Sequence, residues 1–122
     1  MFEYSEEVFE ELFLAIEEDQ ASFKWLMQNG YKELGAFVLG LKGRQDAIAW
    51  LNDNNHTLYA LIILAVKKET KPFRELINLK DKVPVCLVGA SHSDENSIKY
   101  LKQQNLDLLV ELGFVINRSI VA

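Results

Sequence analysis

Residues 23–41 read FKWLMQNGYKELGAFVLGL, two short segments with apolar stripes on either side of an Asn-Gly pair. In each segment the apolar residues recur three and four positions apart, which is the spacing of one α-helix face. They are Phe23, Leu26 and Met27 in the first segment, and Leu34, Phe37, Val38 and Leu41 in the second. Gly30 suits the left-handed conformation that often follows a helix end. The stretch therefore predicts a helix-turn-helix unit.

This unit recurs every 25 residues, from residue 21 to residue 118, without an insertion. In the first helix the aligned apolar positions are Phe23, Ile48, Phe73 and Ile98, followed three residues later by Leu26, Leu51, Leu76 and Leu101. In the second helix they are Leu34, Tyr59, Pro84 and Leu109, followed by Phe37, Ile62, Leu87 and Leu112. Residues 9–16 match the second helix alone. A period of this length is typical of proteins built from stacked repeats.

The predicted fold is all-α: a right-handed α-solenoid of four helix-turn-helix repeats of 25 residues, preceded by one capping helix. The single domain would span residues 1–122, with the cap at 1–19 and the repeats at 20–45, 46–70, 71–94 and 95–118. The capping helix is expected near 5–18. The first helices are expected near 21–28, 46–53, 71–79 and 95–103, and the second helices near 32–42, 57–68, 82–91 and 107–117. Asp46 and Thr70 are predicted helix caps, and Pro72 is placed in a first turn, where its missing N–H is tolerated.

The two-helix stretch of residues 23–41 resembles the helical part of an ankyrin repeat. Asn29-Gly30-Tyr31 and Asn54-Asn55-His56 stand where that family has an Asn-Gly-His-like turn. The ankyrin unit is longer, and its inter-repeat hairpin and Thr-Pro-Leu-His opening are missing from this chain. The resemblance implies an ankyrin-like or more general α-solenoid stack, and with it a binding role.

Residues 83–89, VPVCLVG, are the one segment that could form a buried parallel strand instead of a helix. An apolar run rich in valine is typical of such strands, and this one resembles a nucleotide-binding strand of small GTPases. The Asn-Lys-x-Asp signature that should follow is absent, because residues 90–94 read ASHSD, and no Walker-type glycine-rich loop is present. The repeat register favours a helix, with Pro84 in its first turn.

The composition indicates one ordered domain in the cytoplasm. Hydrophobic residues make up 49% of the chain and charged residues 25%, near the average for soluble domains. The single cysteine, Cys86, excludes an internal disulfide, and the acidic start of the chain is unlike a secretory signal. The longest apolar run, residues 58–66, is too short to cross a bilayer. We therefore expect no membrane association.

The charge is distributed unevenly along the chain. The first 20 residues carry eight acids and no base, whereas the remaining residues carry ten acids and thirteen bases. Nucleic-acid binding usually requires a clustered basic face. Because the bases are scattered, we do not expect a nucleic acid as partner.

The candidate binding residues are aromatic. Trp25, Trp50 and Tyr100 share one position of the first helices, and Tyr31 and His56 share one position of the turns that follow. Large aromatic side chains at such positions stack between repeats in the core, or they form an exposed ladder, since Trp and Tyr are frequent binding hot spots. The sequence leaves both interpretations open.

We predict no catalytic residue, no cofactor and no metal site. His92 stands 36 residues from His56 and in a different position of the repeat, so a two-histidine metal site is not expected. Cys86 has no neighbouring base to activate its thiol. The glutamates of the first helix are interpreted as a solvated face.

These observations predict a non-enzymatic protein-interaction module, of the small regulator or inhibitor type, whose partner is another protein. The alternative is a small α/β nucleotide-binding protein or enzyme built on residues 83–89. A third hypothesis is a homodimer through the C-terminal helix, because the last helix of an open stack would leave apolar surface uncovered.

Overall fold

Nine α-helices form the chain over residues 2–121, the part that the computed structural model describes, apart from the side chain of Val121. Their bounds are α1 Glu6–Ile16, α2 Gln20–Gln28, α3 Lys32–Leu41, α4 Gln45–Asp53, α5 Thr57–Val66, α6 Thr70–Ile77, α7 Val83–Ser91, α8 Glu95–Gln103 and α9 Asp107–Val121. No strand occurs within these residues. Met1 and Ala122, the two ends of the predicted domain, lie outside the described residues. The prediction of an all-helical chain is confirmed for residues 2–121.

The predicted helix bounds agree with the structure except at a few ends. Residues 83–89 lie in α7, with Pro84 in its first turn, so the alternative of a central strand is wrong. The predicted caps Asp46 and Thr70 are also wrong, because α4 and α6 each begin one residue earlier than expected, at Gln45 and Thr70. Arg44 and Glu69 are the residues that precede α4 and α6. The last helix, predicted to end near residue 117, continues to Val121.

The turns repeat with the period seen in the sequence. After α1, α3, α5 and α7, a residue with positive φ follows at four aligned positions: Glu18, Gly43, Lys68 and Ser93. After α2, α4 and α8, the residues with positive φ are Gly30, Asn55 and Asn105. The amide N of Tyr31 donates to the carbonyl O of Leu26 at 3.0 Å, closing the turn in the Schellman manner. The same local geometry is therefore used at each of these connections.

The connection between α6 and α7 departs from this pattern. Lys80, aligned with Gly30 and Asn55, does not have a positive φ. The Lys82 ammonium donates instead to the carbonyl oxygens of Ile77 and Leu79, at 2.6 and 2.8 Å. The Lys82 side chain thus satisfies carbonyls near the end of α6. In the glycine and asparagine turns, backbone N–H groups satisfy such carbonyls.

The helices divide into an inner and an outer set. The inner helices α1, α3, α5, α7 and α9 each contact the next, and α9 contacts α1. The outer helices α2, α4, α6 and α8 each pack against two successive inner helices. One aligned position of the inner helices carries an apolar side chain with no exposed surface: Leu12, Phe37, Ile62, Leu87 and Leu112. The core therefore lies among the inner helices.

Successive inner helices are also tied by hydrogen bonds at their C-terminal ends. The residue just after an inner helix, or the aligned residue within α9, reaches a carbonyl of the preceding inner helix. The bonds run from Lys42 Nζ to Ile16 O at 3.4 Å, from His92 Nε2 to Val66 O at 2.9 Å, and from Asn117 Nδ2 to Ser91 O at 2.8 Å. Each bond satisfies a helix-end carbonyl that has no partner within its own helix.

The last helix has a neighbour that the sequence did not indicate. The expectation of an uncovered last helix treated the stack as open, but α9 packs on α1 as well as on α7 and α8. Val115 and Ile116 are buried, while Phe114 and Ile120 keep 36% and 38% of their surface exposed. The contact between the first and last helices makes the order of inner helices cyclic.

Candidate interaction surface

Two aromatic pairs bring together four of the five residues selected from the sequence. The rings of Trp25 and Tyr31 are stacked, with centroids 5.9 Å apart and an interplanar angle of 10°. The rings of Trp50 and His56 are stacked in the same way, at 5.9 Å and 13°. In each pair the tryptophan comes from an outer helix and its partner from the following turn. The turn residues therefore hold the tryptophan rings in place.

The turn geometry explains why the pairs form. The side-chain amides of Asn29 and Asn54 donate to the carbonyl oxygens of Trp25 and Trp50, each at 2.8 Å. The positive φ of the next residue then reverses the chain, so that the residue six positions after the tryptophan lies over its ring. At this positive-φ position, Asn55 is a known alternative to the glycine found at residue 30. The preceding asparagine, Asn29 or Asn54, is thus the local signal that accompanies each stacked pair.

Tyr100 does not take part in such a pair. Its aligned turn residue is Leu106, and both side chains are partly buried against the core cluster. In the third unit, the tryptophan position holds Glu75, which is exposed. The structure therefore brings the aromatic residues together in the first two units and not along the whole chain. The rings of each pair pack on one another within a unit and remain partly accessible, and a binding role for them stays a prediction.

A groove of about 330 Å³ lies between the outer helices α2 and α4, above the inner helix α3. It is lined by Met27 from α2, by Lys32, Ala36 and Leu39 from α3, and by Asp46, Ala47 and Trp50 from α4. Met27 and Trp50 each expose 36% of their surface. The groove therefore presents an apolar floor and walls, and its charged lining residues are one base, Lys32, and one acid, Asp46.

A second group of aromatic residues, missed by the sequence analysis, holds the N-terminal segment in place. Phe2 makes edge-on contacts with Phe37 and Tyr59, at centroid distances of 5.8 and 5.0 Å. Tyr4 makes an edge-on contact with Tyr31 at 5.8 Å, and His56 lies 5.9 Å from Tyr59. The two stacked pairs are therefore joined through the N-terminal segment. No periodicity could have indicated this, because residues 2–4 precede the first helix.

Polar contacts fix the same segment. The Tyr4 hydroxyl donates to a carboxylate oxygen of Glu33 at 2.9 Å, and its oxygen lies 2.8 Å from the hydroxyl oxygen of Tyr59. Burial is the main cause that raises the pKa of Tyr4 above its ordinary value, and the contact with Tyr59 raises that pKa further. Burial also raises the pKa of Tyr59. Both phenols therefore hold their protons more tightly in the folded chain than in the unfolded chain.

Cys86 and His92 lie apart from the two aromatic pairs. Cys86 is partly buried in α7, and burial raises the pKa of its thiol, which favours the protonated, unreactive form. His92 contacts the carbonyl oxygen of Val66. Among residues 2–121, no three His, Cys, Asp or Glu side chains converge in a metal-binding arrangement. Within the same residues, none of the helices combines the length and apolar character needed to cross a bilayer.

Comparisons of the chain with protein-family models, with curated proteins and with solved structures found no match.

Proposed function

We propose that this chain is a non-enzymatic helical-repeat protein that acts as a protein-interaction module in the cytoplasm. Its architecture in this proposal is a right-handed α-solenoid of four 25-residue repeats behind one capping helix, which resembles an ankyrin stack. The partner is another protein, and the contact surface is the groove between α2 and α4 that Met27 and Trp50 line. The observation that carries the proposal is the exposure of Trp50 and Met27 on opposite walls of one apolar groove.

Several features of Trp50 support binding through this groove. Tryptophan is among the residues most enriched in the energetic centres of protein interfaces. The ring of Trp50 is already held by stacking on His56, so binding would immobilise few additional side-chain rotations. Trp50 lines the groove together with Met27, so a partner side chain bound there could contact both. The groove therefore offers a preorganised aromatic anchor.

The charged residues of the groove support a partner contact with a defined orientation. They are Lys32 on α3 and Asp46 on α4. Arg44 holds Asp46 in a bidentate ion pair, at 3.0 and 2.7 Å, and its hydrogen bonds lower the pKa of the Asp46 carboxyl. Asp46 therefore stays ionised at neutral pH. A base and an acid at fixed positions can orient a bound segment more than they strengthen its binding.

Affinity capture with matched surface variants tests the proposal. We expect the wild-type chain, used as bait in the cell that produces it, to retain a specific protein, and Trp50→Ala to lose it. Ile77→Ala is the control, because Ile77 lies on α6 and is 43% exposed without lining the groove. Thermal melting of each bait checks that folding is unchanged. If Trp50→Ala captures the partner as well as wild type does and Ile77→Ala loses it, the contact lies outside the groove between α2 and α4.

The captured protein would then be purified and its affinity for each variant measured by calorimetry. A hot-spot tryptophan is expected to contribute at least about 2 kcal/mol, or roughly thirtyfold in Kd. Trp25→Ala separates binding from packing, because Trp25 is stacked like Trp50 but lies outside the groove. We expect Trp25→Ala to lower the melting temperature and to leave the affinity within about threefold of wild type.

A further inference from the structure

Four of the five neighbouring pairs of inner helices are covered by an outer helix, and one pair is not. The outer helix α2 packs on α1 and α3, α4 on α3 and α5, α6 on α5 and α7, and α8 on α7 and α9. The inner helices α9 and α1 also contact each other. Within residues 2–121 no outer helix lies over that pair. We call the surface between α9 and α1 the open slot.

The side chains at the open slot differ from their aligned equivalents in burial. One aligned position faces outward on every inner helix, and it holds Leu39 on α3 and Leu64 on α5, both partly buried beneath outer helices. At the open slot the same position holds Leu14 and Phe114, which are 47% and 36% exposed. Two apolar side chains are therefore left in solvent where α3 and α5 have theirs partly buried, while α7 has Gly89 at this position.

The acidic residues of the open slot also replace small or apolar residues found in the covered positions. Gly35 is buried on α3, and a Cβ placed there would meet the side chain of Met27 from the preceding outer helix. The aligned residue of α1 is Glu10, which is exposed. Ala36 is buried beside α4, whereas its aligned residue in α9, Glu111, is exposed. A carboxylate therefore stands on each side of the slot.

The charge of the slot is strongly negative. Besides Glu10 and Glu111, the outward faces of α1 and α9 carry Glu7 and Asp107, and both are exposed. Arg118 is the only basic residue in the two helices, and it is paired with Glu17 at 3.0 Å. No basic residue of α1 or α9 therefore offsets the four carboxylates.

We propose that the open slot binds a basic amphipathic helix of a partner protein, in the manner of a fifth outer helix. The outer helices show the shape required: each is eight or nine residues long and places a fully buried leucine, such as Leu26 or Leu101, against two inner helices. The slot offers the corresponding apolar pair, Leu14 and Phe114. Lysine or arginine side chains on the bound helix would meet the carboxylates on either side. This inference rests on the proposed role as an interaction module but uses a different surface.

Synthetic peptides derived from α8 provide the probe. Residues 94–106, DENSIKYLKQQNL, form a neutral peptide once its ends are acetylated and amidated, because it carries two acids and two bases. The changes Glu95→Gln, Gln103→Lys and Gln104→Lys make it basic while keeping Ile98, Leu101 and the Asp94 cap. A control peptide adds Ile98→Ser and Leu101→Ser, which keeps the charge and removes the apolar stripe. Binding to the full chain is measured by fluorescence anisotropy.

We expect the basic peptide to bind at least about tenfold more tightly than the neutral peptide and the control peptide, with an affinity that falls as salt is added. The double variant Glu10→Lys/Glu111→Lys should weaken binding at least about tenfold, and so should Leu14→Ala/Phe114→Ser. All four side chains are exposed, so the melting temperatures should change little. Trp50→Ala should bind the basic peptide as wild type does, since Trp50 lies in the other groove.

Three results would overturn the inference: no saturable binding of the basic peptide, equal binding of the basic and control peptides, or binding that the slot variants leave unchanged. A concentration-dependent dimer, measured by sedimentation and abolished by Leu14→Ala/Phe114→Ser, would also overturn it by making a second copy of the chain the occupant. If the peptide does not bind the open slot but capture of the partner still depends on Trp50, the proposed function stands. If the peptide binds the open slot but capture does not depend on Trp50, only the role of the Trp50 groove is contradicted.

Discussion

The guanidinium of Arg118 in α9 donates to a carboxylate oxygen of Glu17, directly after α1, at 3.0 Å and across 101 residues of sequence. Glu17 is the aligned equivalent of Lys42 and His92, which reach back to the preceding inner helix. Here the contact runs instead between the last and first inner helices. The two ends of the helical chain are therefore joined by a surface ion pair as well as by apolar packing.

Charge reversal tests how much this ion pair stabilises the contact. The two side chains are 56% and 48% exposed, and pairs in such positions contribute about 0–1 kcal/mol. We expect Arg118→Glu to lower the free energy of unfolding by no more than about 1 kcal/mol. Arg118→Glu combined with Glu17→Arg should restore most of that loss. Urea denaturation at low and high salt measures both; a loss of several kcal/mol would mean that the pair is far less screened than its exposure indicates.

Two leucines of α1 separate burial from helix propensity. Leu12 has no exposed surface and belongs to the aligned core position, whereas Leu14 is 47% exposed. Leu12→Ala should lower the free energy of unfolding by about 2–5 kcal/mol, because it removes buried methyl groups and leaves a cavity. Leu14→Ala makes the same chemical change in the same helix and should cost about 0.5 kcal/mol or less. Chemical denaturation of both variants measures the difference, and equal losses would contradict the described packing of α1.

The turns after the outer helices predict opposite effects for two related substitutions. Gly30 has a φ of 89° and Asn55, the aligned residue one unit later, has a φ of 65°. A residue other than glycine is strained in this left-handed region of φ, by roughly 1–2 kcal/mol. Gly30→Ala should therefore destabilise the chain, although nothing lies within 4 Å of the added Cβ. Asn55→Gly should be neutral or mildly stabilising. Thermal melting of both variants provides the test, and a neutral Gly30→Ala would contradict the left-handed turn.

The phenols of Tyr4 and Tyr59 predict a loss of stability at alkaline pH. Burial raises the pKa of each above its ordinary value of 10.0. The folded chain binds these protons more tightly than the unfolded chain does. Their contribution to the free energy of unfolding is therefore complete below about pH 10 and is lost as the pH rises further. Tyr4→Phe keeps the ring but removes one titrating phenol. We expect the variant to be less stable than wild type by about 1 kcal/mol at pH 8, and the difference to shrink toward pH 11.

Melting temperatures measured at intervals of half a pH unit, from about pH 8 to about pH 11, would follow this difference. The comparison with wild type removes the effect of lysines, which titrate in the same range in both proteins. A gap between the two proteins that stays constant with pH would contradict the tight binding of the Tyr4 proton.

The helices were predictable because their signals are local. The spacing of Phe23, Leu26 and Met27 indicates one helix face, and Gly30 marks where that helix ends. The period of 25 residues predicts a helix for residues 83–89, although Val83 and its neighbours look like a strand when considered alone. The caps of α4 and α6 were missed because Arg44 and Glu69 lack the usual capping side chains, so only the backbone conformation marks those helix starts.

The candidate site was predictable only in part. The sequence selected Trp25 and Trp50 because they are large aromatic residues at aligned positions. It could not show that Tyr31 and His56 stack on them, because that depends on the angle at which the chain reverses in the turn. It also could not show the groove beside Trp50, whose walls come from α2 and α4 and whose floor is Leu39 of α3. Such a surface exists only after separate helices are placed against one another.

The helical units, their turns and their apolar faces follow from the sequence alone, because they depend on contacts within a few residues. The return of α9 to α1, the contact of Phe2 and Tyr4 with the core, and the exposure of Leu14 and Phe114 on two neighbouring inner helices became visible in the folded molecule. These contacts join residues far apart in the sequence, and the angle at which one helix packs on another is set by side-chain packing in three dimensions. A periodic pattern specifies that the units are alike but not the angle between them.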